Sequence, residues 1–318
     1  MTGPNAPGGV RTNGLITLGT NAFGWTVRLE DAPPILESFI GAGGTHVDTA
    51  DTYPSWAPGC AGGESETGIG GWLADNADRR GEICIATKVG CMPGFEGLSR
   101  ENIRTCVDNS LRRLRTDYVD VLYFHMDDPD ADMEDSVRGA AEVIAEGKVR
   151  NLAVSNYPVQ RLEKLLSVCD RIGAPRPILY QGQYHLLNRS YYENFLAERL
   201  RAESIPFMPH SSLANGFLTG KYTRESKAES ARSGIVTRYF TDEGWKVLDE
   251  LLDIAGAHGV TPAAVALSWA RSHGNVTSPA VSVSAVGQLP DVMTDVHLSG
   301  GEVSRLDAVS EPFAADRP

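Results

Sequence analysis

Apolar positions along the chain follow two alternating patterns. Short apolar runs, bounded by Gly, Pro or polar turns, predict strands over 14–21, 45–47, 82–90, 118–125, 148–155, 178–184, 205–210 and 275–284. Between them lie longer stretches in which apolar residues recur every three or four positions. These predict helices over 30–40, 64–75, 99–115, 133–147, 158–169, 191–203, 242–258 and 261–273, with a peripheral helix before 311. Local signals agree with several of these boundaries. Ile35, Phe39 and Ile40 share one helical face, Ser99 is placed to cap, Gly147 to stop a helix, and Pro262 to start one. The segment 211–240 is a long Ser, Gly, Arg and Thr-rich connection, the length of a binding loop rather than a tie.

Eight strands alternating with helices, without a break in composition, predict a single-domain (β/α)8 TIM barrel over 14–318, preceded by a loose arm over 1–13. A doubly wound open sheet is the alternative. It is weighed lower because the strand count reaches eight and no GxGxxG follows the first strand.

Composition narrows the partners. The 318 residues are 42% hydrophobic and 22% charged, ordinary globular values, and their net charge of −12 argues against a nucleic-acid scaffold. The five cysteines are odd in number and form no CxxC pair, which fits reduced thiols in a cytoplasmic protein. No targeting segment and no apolar run of about 18 residues is present, so no membrane partner is expected. The histidines lack metal-ligand spacing, and no metal is expected.

The chemistry-bearing stretch is HVDTADTY, 46–53, where the second strand breaks into a polar turn. In a barrel the loops after the strands share one face. Asp48 and Tyr53 after strand two, Lys88 near the end of strand three and His125 at the end of strand four lie at that level. Each alone has an ordinary structural explanation; their positions at consecutive strand ends make a site the better one. Lys88 beside Tyr53 would favour the phenolate and lower its pKa, Asp48 would hold Lys88 charged, and His125 would bind a substrate oxygen. That is a proton donor beside an oxyanion site, suited to reduction of a carbonyl if a hydride source lies alongside.

These residues resemble the aldo-keto reductases from about Gly14 to Ala308. The resemblance rests on DTADTY (48–53), ESE (64–66), ATK (86–88), HMDDP (125–129), GKVRNLAVSNY (147–157) and LTGKY (218–222). The chain is similar in particular to bacterial reductases with FGWT near 23–26 and GGESET at 62–67. The resemblance implies Asp48, Tyr53, Lys88 and His125 as the catalytic tetrad and NADPH, or NADH, as cofactor. It places Gly19, Thr20, Asp48, Ser155, Asn156 and Gln181 in the cofactor site, the last three at the nicotinamide amide. His210 stands where the family usually stacks Tyr, Trp or Phe on the nicotinamide. Ser211, Leu213, Gly216 and Lys221 match pyrophosphate positions, with Ser212 replacing the usual Pro. At the adenosine end the family's G-x-R-x-x-x-Q corresponds to Ser282, Ser284 and Gln288, so its Arg is absent and Arg232, with Arg224 in reserve, is the expected ligand of a 2′-phosphate.

Trp25 and Trp56 follow strands one and two and are either walls of a substrate pocket or packed surface aromatics. The expected partner is a small carbonyl compound that the sequence does not name. Two other functions fit the same fold: a nucleotide sensor without turnover, and an epimerase or dehydratase using transient oxidation.

Overall fold

The computed structural model describes residues 14–225 and 233–315. The expected arm, 1–13, and Arg232 lie outside the described residues. The chain divides into two compact units, Met1–Gln181 with Ser282–Val286, and Gly182–Val281 with Gly287–Pro318.

In the first unit, strands β1 (Thr17–Gly19), β2 (His46–Asp48) and β3 (Cys84–Val89) are followed by a hairpin of β4 (Cys91–Met92) and β5 (Phe95–Glu96), and then by β6 (Val119–Phe124), β7 (Val149–Ser155) and the start of β8 (Tyr180–Gln183). Helices α1 (Ala32–Gly41), α2 (Glu64–Asp75), α3 (Arg100–Leu114), α4 (Met133–Ala145) and α5 (Val159–Ile172) alternate with them. β1, β2, β3, β6, β7 and β8 pair in parallel in that order, as in Asp48 with Ala86, Lys88 with Tyr123 and Ser155 with Gln181. A doubly wound sheet would reverse its strand order at a switch point. This order does not reverse, and the alternation of eight strands with helices is that of a (β/α)8 barrel.

The second unit holds β9 (Phe207–His210) and β10 (Ala280–Val281), with α6 (Ala197–Ala202), α7 (Ser233–Val236), α8 (Asp242–His258), α9 (Pro262–Arg271), α10 (Leu289–Met293) and α11 (Gly300–Val309). The last strand is shorter than the expected 275–284. Val276 bridges Phe207 in parallel, but Pro279 has no N–H to extend the ladder, and regular pairing resumes only at Ala280. Two more elements depart from expectation. The hairpin after β3, turning at Pro93 and Gly94, was not anticipated. The helix expected over 191–203 begins with a π-turn at Tyr192–Leu196.

The cores follow the periodicities. Ile35, Leu36 and Phe39 of α1 are fully buried, each worth about 1.5–3 kcal/mol of removal from water. On β3, Thr87 turns outward and donates to Glu66 of α2 at 2.6 Å, so the next residue, Lys88, points the opposite way. One glycine of helix α2 has a steric reason. A Cβ on Gly70 would stand 2.0 Å from the carbonyl oxygen of Arg113 on α3, whereas one on Gly71 would meet nothing within 4 Å.

Gly70→Ala should therefore destabilise the fold by about 1–3 kcal/mol. Gly71→Ala on the same helix should stabilise it by about 0.5–1 kcal/mol. Urea unfolding of the two variants checks this; equal effects would contradict the close approach of α2 and α3.

Candidate active site

The site in the first unit is built on the carboxyl ends of its strands. After β2 the chain continues along β3, with the Thr49 amide donating to Ala86 and the Asp51 amide to Lys88. A buried hydroxyl cluster fixes this corner: Thr20 donates to the Asp48 carbonyl, and Ser65 of α2 lies 2.7 Å from Thr20 and 2.8 Å from Thr49. The GGESE stretch has structural work to do. Glu64 accepts from the amides of Ala61 and Gly62, and buried Glu66 accepts from Thr87 and Arg113.

Lys88 is fully buried, and its ammonium has three donors to place. They meet Asp48 Oδ2 at 2.6 Å, the Thr49 carbonyl at 2.8 Å and the Tyr53 hydroxyl. The second carboxylate oxygen of Asp48 accepts from Gln181 Nε2 at 3.0 Å. Burial alone pulls the Lys88 ammonium down, but Asp48 and Tyr53 together outweigh it and leave its pKa raised. Lys88 is thus held as a cation.

Tyr53 departs from expectation. Lys88 does favour its phenolate, but burial is the larger effect and Asp48 adds to it, so the phenol's pKa ends above its ordinary value. The expected net lowering is not found. The resting group is a neutral phenol with a cation against it.

The other rings gather round Tyr53. Its centroid lies 5.8 Å from His125 and 5.5 Å from Trp56, both nearly edge-on, and Trp56 meets Trp25 at 6.1 Å. Beyond His125, the side-chain amide of Asn156 donates to the His125 carbonyl at 3.3 Å and to Ser155 Oγ at 2.9 Å. Its backbone amide donates to the Gln181 carbonyl. The unit therefore joins Asp48, Tyr53, Lys88, His125, Ser155, Asn156, Gln181, Trp25 and Trp56, with Gly19 and Thr20 beside them at the end of β1. Ser282 and Ser284 are tied instead to the loop after β1, through Asn21 at 2.6 Å and Thr26 at 3.3 Å.

The second unit carries the remaining candidates. His210 closes β9, its Nδ1 3.2 Å from Ser211 Oγ. Ser211, Ala214, Asn215 and Gly216 all have positive φ, giving a tight irregular turn through Leu213. The ammonium of Lys221 lies over that turn, 3.3 Å from where a Cβ of Gly216 would be. Gln288 is exposed, and Arg224 pairs with Asp249 at 2.7 Å.

Three residues of the site were given no role from the sequence. Tyr123 is buried with its ring 5.5 Å from the Lys88 ammonium. Strand parity with His125 was the signal that could have found it. His46, two residues before Asp48, is buried with neither ring nitrogen hydrogen-bonded, and burial lowers its pKa to about 4. Asp51 is fully buried, and neither carboxylate oxygen meets a well-aligned donor. Burial, reinforced by Glu66, raises its pKa to about 7.

Among the described residues no group of three or more potential ligands could hold a metal, all five cysteines are free, and no single helix is long and apolar enough to cross a membrane. The Aldo/keto reductase family model matches residues 15–311. The protein tas of Escherichia coli K12 is 31% identical over 332 residues, covering 95% of each chain. A probable voltage-gated potassium channel subunit beta of Oryza sativa is 29% identical, over 85% of this chain and 83% of its own. The L-glyceraldehyde 3-phosphate reductase of Escherichia coli K12 is 29% identical, over 90% of this chain and 85% of its own.

Asp51 sets a pH dependence of stability. Its folded pKa, about 7, lies above the ordinary 3.8, so the folded state holds a proton that the unfolded chain has released. Stability at this residue falls as pH rises from about 4 to 7, and the loss is complete above 7. Asp51→Asn should match the parent at pH 4 and exceed it by roughly 1–4 kcal/mol at pH 8, as read by urea unfolding. A pH-independent difference would show that Asp51 is charged in the folded state.

Proposed function

The chain belongs to the aldo/keto reductase family, whose members are generally oxidoreductases of carbonyl compounds that use a nicotinamide cofactor, and on that premise we propose that it reduces an aldehyde or ketone with Tyr53 as the proton donor. The observation that carries this reading is the placement of the three Lys88 donors on Asp48, Thr49 and Tyr53. A proton donor must hold its proton until charge develops on the substrate, and the raised pKa of Tyr53 keeps it protonated at neutral pH. As the carbonyl oxygen becomes an alkoxide, the phenol gives up its proton, and the Lys88 cation stabilises the phenolate left behind. Asp48, braced by Gln181, keeps that cation in place. His125, facing Tyr53, supplies a hydrogen bond to the same oxygen.

The cofactor, NADPH in our reading with NADH as an alternative, supplies the hydride when bound. The residues available suit such a group. Ser155 and Asn156 offer an amide and a hydroxyl at a strand end, for a carboxamide. The left-handed turn 211–216, with Lys221 over it, is a backbone geometry in which amides can face an anion. Ser282, Ser284 and Gln288 suit neutral hydrogen bonding to adenosine better than a grip on a 2′-phosphate. We assign that grip to Arg232, since Arg224 is engaged by Asp249.

Tyr53→Phe should bind cofactor within about twofold of the parent yet lose 10²-fold or more in turnover with any carbonyl that the parent reduces. Undiminished turnover would sink the proton-donor assignment. Cofactor binding without turnover in the parent itself would favour a regulatory reading, like the subunit role that the channel relative's name describes. A tryptophan-fluorescence titration should also find NADPH bound at least tenfold more tightly than NADH, about 1.4 kcal/mol. Arg232→Ala should erase that gap; an equal preference in the parent would contradict the Arg232 assignment.

A further inference from the structure

We propose, on the basis of the reductase reading, that the site takes neutral aryl aldehydes and aryl ketones and discriminates against phosphorylated aldehydes. Two independent features of the first unit support this.

The first is the aromatic wall. Trp56 meets both Tyr53 and Trp25 edge-on and still leaves 50% of its surface open to solvent. A large indole is thus exposed directly against the proposed proton donor. Met126, which follows His125, is 54% exposed, and Phe95 on the hairpin after β3 is 41% exposed. Exposed side chains of this size, set in the loops that follow β2, β3 and β6, offer flat and polarisable surface to a substrate ring.

The second feature is charge. The loops after β1, β2, β3, β6 and β7 span 20–31, 49–63, 90–99, 125–132 and 156–158, and Arg28 is their only Arg or Lys. It is already bound by Glu30 at 3.1 Å and Asp31 at 2.8 Å. The next nearest in sequence, Arg100 on α3, pairs with Glu142, and Arg161 on α5 is taken by Asp127 at 2.7 Å. Lys88 is buried with its donors spent on Asp48, Thr49 and Tyr53. Against these stand Glu96, Asp128, Asp130 and Asp132 in the same loops. A dianionic phosphate arriving at this wall meets carboxylates and apolar surface, with no free cation to receive it. A neutral ring has no such difficulty.

The test uses the full chain with saturating NADPH and four carbonyls: benzaldehyde, 2-naphthaldehyde, glyceraldehyde and glyceraldehyde 3-phosphate. We expect kcat/KM to be at least tenfold higher for 2-naphthaldehyde than for glyceraldehyde, and at least tenfold lower for the phosphorylated aldehyde than for its parent. Trp56→Ala should lower the ratio of 2-naphthaldehyde to glyceraldehyde kcat/KM about tenfold through KM, with Trp56→Phe keeping most of it. Met126→Lys should raise kcat/KM for glyceraldehyde 3-phosphate severalfold, a gain that misfolding cannot imitate. Turnover of the phosphorylated aldehyde equal to or above glyceraldehyde, or no preference for the rings, would overturn this inference while leaving the reductase reading intact. Failure of all four carbonyls to consume cofactor would remove the reductase reading itself, and this inference with it.

Discussion

The site depends on one buried ion pair. Asp48 and Lys88, both withdrawn from solvent, meet at 2.6 Å, and removing either would strand the other charge at a cost of about 3–5 kcal/mol. Such a pair is tolerable only when its remaining hydrogen-bonding groups are satisfied. Gln181, the Thr49 carbonyl and Tyr53 satisfy them, so the residues that make the pair affordable are also the ones that define the site.

The surrounding framework keeps that geometry stiff. Thr20, Thr49 and Ser65 lock the ends of β1 and β2 to α2, and Glu66 ties α2 to β3 and α3. The close approach at Gly70 belongs to the same framework, because it lets α3 bring Arg113 to Glu66. The ends of β2 and β3 are thus held from behind, on the side away from the ring cluster of Tyr53, His125, Trp25 and Trp56. A rigid polar base beneath an open aromatic rim suits a constant proton-transfer step with variable substrate selection.

Much of this was legible in the sequence because strand periodicity and strand ends are local properties. Asp48, Lys88 and His125 each close a short apolar run, and parallel strands bring such ends level. The ESE motif and the Ser99 cap were also read correctly in position, although the bracing role of Glu66 requires knowing that Thr87 and Arg113 face it. What escaped depends on burial and on long-range packing. The opposing effects of desolvation and Lys88 on Tyr53 have a net sign that no spacing rule gives. Asp51 reads as one more polar turn residue until its carboxylate is seen enclosed without a well-aligned donor. The hairpin after β3 has strands of only two residues each, too short for a period to register. The late start of β10 turns on Pro279 within an otherwise strand-like run.

The central claim is that this arrangement moves a hydride to a carbonyl carbon while Tyr53 supplies the proton. The most direct measurement is turnover of a reducible aldehyde with NADPH deuterated at the transferring position, followed by mass analysis of the product. The account predicts one deuterium on the former carbonyl carbon for each cofactor oxidised. Cofactor oxidised with no label in the product, or cofactor bound with no alcohol formed, would contradict it.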